Sequence, residues 1–145
     1  MKETLLISAC LMGENCKYSG GNNYTAAVEH LKERYELIPV CPERDGGLPI
    51  PRESSERLGE KVVSKSGTDV TEQFVRGAHI ALDAARRNGC TAALLKERSP
   101  SCGCGAIYDG TFTGTVIEGD GVAAELLKQN GITVYGESRI NELLR

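Results

Sequence analysis

Apolar residues fall along this chain in short runs and helical stripes that take turns. TLLISA, from Thr4 to Ala9, is an apolar run ending in a glycine-bearing loop, which predicts a buried strand. Ala27, Val28, Leu31 and Tyr35 then recur at helical spacing amid charges between Tyr24 and Glu36, and ELIPV supplies a second strand. Three prolines and two glycines between Cys41 and Arg52 predict an ordered loop with no regular structure. GEKVVSKSGTDVT has the form of a hairpin turning near Ser66 and Gly67.

The longest periodic segment predicts a helix from Thr71 to Asn88, capped by Thr71 or Asp69 and stopped by Gly89. Its expected inner surface is Phe74, Val75, Ala78, Ile80, Leu82 and Ala85. TAALLK reads as a third strand, VAAELLKQNG as a short helix and ITVYG as a fourth strand. SRINELLR closes the chain as a helix capped by Ser138. Strands alternating with helices predict a three-layer, Rossmann-like α/β fold with a mostly parallel sheet of four or five strands. With 145 residues, 40% of them hydrophobic, the chain can build one core over 1–145 but not two.

Charge and apolar run lengths narrow the partners. Seventeen Lys and Arg against 20 Asp and Glu give a net charge of −3, the wrong sign for a phosphate-backbone binder, so a small-molecule substrate is expected and nucleic acid is not. Nothing approaches the roughly 20 apolar residues of a membrane span. The first 30 residues carry no signal-peptide pattern, which points to a reducing cytoplasm, where cysteines are ligands or redox groups rather than disulfides. A monomer or weak homodimer is expected.

Six cysteines are then the chemical feature to explain. Cys90, after Gly89 and before an apolar run, fits a buried structural thiol. Cys10 and Cys16 in ISACLMGENCKYSGG, and Cys102 in RSPSCGCGAIYDG, lie in turn-forming loops, as thiolates aimed at a soft metal or an iron-sulfur cluster must. In an open parallel sheet, ligands sit outside the carboxyl ends of the strands. The loops after the first three strands carry Cys10 and Cys16, Cys41 and Glu43, and Ser101 and Cys102, so all three are expected on one edge. His30 and His79 read as helix-face residues, whereas Tyr18, Asn22 and Asn23 are candidates for substrate contact. TGTVIEGDG is expected to fold over the site as a lid. No GxGxxG or GxxxxGK[ST] string follows a strand, which argues against a phosphate cradle.

SACLMGENCKYSGG, PVCPERDGGLPIPR, TEQFVRGA and RSPSCGCGAIYDGTF together resemble the thiouracil desulfidase family, over nearly the whole chain up to the vicinity of residue 130. The resemblance implies a [4Fe-4S] cluster held by three cysteines, with the fourth iron free of protein ligands and the cluster easily lost in an aerobic preparation. It implies removal of sulfur from a thiolated nucleobase such as 2-thiouracil, giving the oxo base and hydrogen sulfide without net redox change. Carried over by position, the ligands are Cys10, Cys16 and Cys102, and the catalytic groups Glu43 and Ser101. Glu43 would serve as general base for water, and Ser101 would orient substrate or relay a proton. Cys104 departs from the pattern, standing where relatives carry a small residue. Bound at the open iron, it would close the substrate position.

Two other classes stay open on the residues alone. Cys10, Cys16, Cys102 and Cys104 could form a tetrahedral zinc site, although paired CxxC knuckles are absent. Cys102 and Cys104 could instead exchange disulfide or persulfide in a thiol-redox or sulfur-carrier protein.

Overall fold

The computed structural model describes residues 2–145. Strand β1 (Glu3–Ser8) is followed by a 3-10 turn (Ala9–Met12), helix α1 (Val28–Arg34), β2 (Tyr35–Val40) and α2 (Pro42–Asp45). A hairpin of β3 (Ser55–Leu58) and β4 (Lys61–Ser64) leads into α3 (Thr71–Arg87) and β5 (Ala92–Leu95). A second hairpin, β6 (Ala106–Tyr108) with β7 (Val116–Glu118), precedes α4 (Val122–Gln129), β8 (Thr133–Gly136) and α5 (Ile140–Leu143).

Four strands form one wholly parallel sheet in the order β2-β1-β5-β8. Alternation along β1 sends Leu6 to one face and Leu5 and Ile7 to the other, and all three are fully buried. Leu6 packs with Ala81 and Ala85 of α3 and Leu127 of α4. Leu5 and Ile7 pack with Val28 and Leu31 of α1 and Leu143 of α5. Helices therefore cover both faces, and the expected three-layer α/β architecture stands with four strands. No helix among the described residues is long and apolar enough to cross a membrane.

Several local expectations need correction. The proline-rich loop opens with one helical turn, α2, because Pro42 sits at its first position, where a missing N–H costs nothing. Asp45 stabilises that turn by accepting from the Cys41 amide at 3.0 Å. On α3 the buried stripe runs through Phe74, Gly77, Ala78, Ala81, Leu82 and Ala85. Val75 and Ile80 lie to its sides, 41% and 39% exposed, because an apolar type does not compensate for the wrong angle.

Val70 occupies the cap position of α3. Asp69 accepts from the Thr71 amide, while the Thr71 hydroxyl accepts from the Val62 amide and ties the helix to β4. The chain does turn at Ser66 and Gly67, but the main ladder of that hairpin lies upstream, turning at Gly59. Ser138 does not cap the last helix; its hydroxyl donates to Glu97, and α5 shrinks to one turn after a 3-10 turn over Glu137–Arg139.

One contact fixes where the loop after β2 sits. A Cβ built on Gly77 would stand 1.8 Å from the Pro42 carbonyl oxygen, and one on Gly46 2.0 Å from the Gln73 carbonyl oxygen. Helices α2 and α3 thus touch backbone to backbone, which only glycine permits at these two points. Gly77→Ala must push away the turn bearing Cys41 and Glu43, at a cost of about 3 kcal/mol. In a domain of this size that lowers the melting temperature by roughly 10 °C. Thermal unfolding followed by circular dichroism checks it, with the exposed Glu72→Ala expected to melt as the parent does.

Candidate active site

The strand order places a reversal between β1 and β5: the chain winds from β1 outward to β2, then returns to build β5 and β8 on the other side. The loops leaving β1 and β5 separate there and leave a crevice. A cleft of about 680 Å³ opens at this edge, and its wall includes Cys10, Cys16, Cys41, Glu43, Ser101 and Cys102. The residues picked from three separate loops therefore meet.

Each loop is held by its own backbone bonds. After β1, the 3-10 turn presents Cys10 and ends at Gly13 with φ +95°, a left-handed conformation that suits glycine. The loop then folds back, the Asn23 amide donating to the Cys10 carbonyl at 2.9 Å. After β5, the Ser99 hydroxyl oxygen accepts from the amides of Ser101 and Cys102, each at 3.1 Å, which fixes the turn that aims Cys102 inward. The start of α4 anchors the same turn: Val122 donates to the Pro100 carbonyl, and Ala123 and Ala124 donate to that of Ser101.

The four cleft thiols are all buried. Burial pushes the Cys10 thiol up, although the Asn23 side-chain amide, 3.3 Å from its sulfur, partly offsets this. Burial pushes Cys102 up to about 12 despite hydroxyls from Ser8 and Ser101, the latter 3.6 Å from its sulfur. The Cys41 thiol donates to the Cys16 carbonyl at 3.6 Å. The neighbouring Cys41 thiol and burial together push the Cys16 thiol above its ordinary range.

Glu43 lies within hydrogen-bond reach of this group. Its Oε2 accepts from the Ser101 hydroxyl at 2.9 Å and from Ser99 at 3.4 Å, and Ser99 and Ser101 are 2.9 Å apart. Its Oε1 accepts from Arg52 Nε at 3.2 Å, and the two side chains are 14% and 6% exposed. A carboxylate gripped at both oxygens, beside a hydroxyl that also touches a thiol, is equipped to hold or take a proton at a fixed point.

Other candidates separate from the site. The Cys104 thiol donates to the Val134 carbonyl at 3.6 Å and packs with the core beneath α3 and α4, outside the cleft wall. The tetrahedral set of Cys10, Cys16, Cys102 and Cys104 does not assemble, and Cys104 does not face the site it was expected to threaten. Cys90 is buried in that same core. Tyr18 lines the cleft and Asn23 reaches Cys10, but Asn22 pairs with Asn15 and the Tyr24 amide instead. From the expected lid, Gly114 borders the cleft while β7 is exposed.

Arg52, Ser99 and Ser8 are additions that sequence reasoning missed. Their one signal was position, in or next to the same loops, and nothing in residue type marks an arginine after Pro-Ile-Pro as buried.

The donor set suits a thiolate-bound iron cluster: buried thiols, a hydrogen bond to sulfur, and a cleft open to small molecules. Among the described residues no three His, Cys, Asp or Glu side chains close on a single ion. A cubane cluster makes no such demand, because each cysteine takes a different iron corner.

Comparison with known proteins agrees with this geometry. The 2-thiouracil desulfurase family matches residues 5–139. YbbK, an uncharacterised protein of Bacillus subtilis (strain 168), is 41% identical over 150 residues, covering 97% of this chain and 99% of YbbK. A solved structure of TudS, a [4Fe-4S]-dependent thiouracil desulfidase, superposes with a TM-score of 0.93 at 44% identity, covering 98% of this chain and 95% of that one. With the fold, the thiol-lined cleft and the match in agreement, this chain belongs to the 2-thiouracil desulfurase family, enzymes that act on a carbon-sulfur bond.

Proposed function

We propose that this protein hydrolyses the thiocarbonyl of a 2-thiouracil-like base to the oxo base and hydrogen sulfide, using a [4Fe-4S] cluster held by Cys10, Cys16 and Cys102. The observation that carries this reading is the convergence of those buried thiols with the hydrogen-bonded pair Glu43 and Ser101 in one cleft. When bound, the cluster supplies an iron without a protein ligand, a Lewis acid matched to a soft thiocarbonyl sulfur.

The remaining chemistry falls to side chains. Water supplies the oxygen, the carbon-sulfur bond breaks as the carbon-oxygen bond forms, and no electrons are gained or lost overall. Glu43 takes the proton from the attacking water at Oε2, the oxygen turned toward Ser101. Ser101 bridges the carboxylate and the Cys102 sulfur, so its hydroxyl can pass a proton between Glu43 and a substrate ring nitrogen. Ser99, whose oxygen already accepts two amides, has its own proton left for Ser101 or Glu43 and orders the chain of hydroxyls.

A second ligand set, Cys10, Cys41 and Cys102, is favoured by one observation: Cys41 lines the same cleft, its thiol 3.6 Å from the Cys16 carbonyl oxygen.

Anaerobically reconstituted protein should be brown, hold about four irons per chain and release sulfide from thiobases. A colourless or inactive product would sink the reading. Cys10→Ser and Cys102→Ser should lose iron, while Cys104→Ser keeps both iron and activity. Iron lost from Cys16→Ser but retained by Cys41→Ser supports the first ligand set, and the reverse supports the second. Glu43→Gln should keep its iron while sulfide release falls about 1,000-fold; full activity in that variant removes Glu43 from the mechanism.

A further inference from the structure

The proline-rich loop ends in a residue that the chemistry above leaves unused. The Arg52 side chain, 6% exposed, lies in the cleft wall, and its guanidinium spends each nitrogen on a different partner. Nε donates to Glu43 Oε1 at 3.2 Å, Nη2 to the Cys16 carbonyl at 3.0 Å and Nη1 to the Pro49 carbonyl at 3.2 Å. Its backbone amide donates to the Tyr18 carbonyl at 2.8 Å. One side chain thus ties the loop after β1, the one-turn helix after β2 and the proline-rich loop to a single planar group.

We propose that Arg52 is a positioning residue for the reaction. It sets the rotamer of Glu43 and holds that carboxylate in register with the Cys16 loop, so base and thiols keep one spacing. The inference rests on the reading of Glu43 as the base. The planar fork is what the task needs: its donors point in fixed directions, whereas a lysine ammonium is a single point charge on a flexible stem. Without the fork, Glu43 Oε1 loses its partner while Ser101 and Ser99 still pull on Oε2, and the carboxylate swings toward the hydroxyls. A shift of about 1 Å in a reacting group costs about 100-fold in rate.

The test compares Arg52→Ala and Arg52→Lys with the parent protein, cluster-loaded, with and without millimolar guanidinium chloride. Both variants should keep the parent's iron content and visible absorbance. Their kcat should fall about 100-fold, with KM within about twofold. Guanidinium should restore turnover to Arg52→Ala where sodium chloride and urea do not, a rescue that a purely structural role does not produce. Arg52→Lys should stay slow, and it decides the matter if the alanine variant does not fold.

A second readout needs no activity. Carbodiimide coupling of an amine to Glu43 in cluster-free protein, mapped by peptide mass spectrometry, should be severalfold faster in the variants, because the ion pair shields that oxygen. Unchanged kcat in both variants, equal labelling of Glu43, or loss of iron in step with activity overturns the proposal. A parent protein that labels as expected but releases no sulfide overturns the desulfurase reading and leaves the Arg52–Glu43 coupling standing.

Discussion

Covering a parallel sheet with helices on both faces leaves only its ends where polar side chains from different segments can gather next to water. In this protein Leu5, Leu6 and Ile7 are sealed on opposite faces of β1, so the chain's chemistry is confined to the loops leaving the strand tips. The reversal between β1 and β5 then opens the gap in which those loops can face one another. Every feature of the site follows from that confinement.

The loops are long and carry little regular structure, yet they are rigid for identifiable reasons. Ser99 gathers two amides, the first turn of α4 donates to the carbonyls of Pro100 and Ser101, and α2 rests directly on α3. Arg52 adds a link between loops rather than within one. Burying four thiols and an ion pair at the end of a sheet is costly unless their partners are fixed in advance, and these links fix them.

Much of this was legible in the residues. The main strands read correctly because each is an apolar run bounded by turn residues, and the long helix because its stripe recurs from Phe74 to Ala85 within an element of 17 residues. The convergence of Cys10, Cys16, Glu43, Ser101 and Cys102 was legible from topology, since loops after adjacent parallel strands share an edge. The hairpin of β6 and β7 was not: among its six strand residues only Ile107 is buried, so no alternation marks it. Arg52 was hidden because burial of a guanidinium depends on carbonyls at Cys16 and Pro49 that any sequence would supply. Cys104 looked like a site residue because it lies two positions from Cys102, but the turn between them sends the two thiols to different parts of the molecule.

The contact of α2 with α3 reaches beyond stability. Clearance there is smaller than a methyl group at both Gly46 and Gly77, so a descendant sequence that retains this cleft has no freedom at either place. A side chain at either of these two glycines would shift the scaffold itself. The pair, 31 residues apart, is a fingerprint of the architecture written in the absence of atoms rather than in reactive ones.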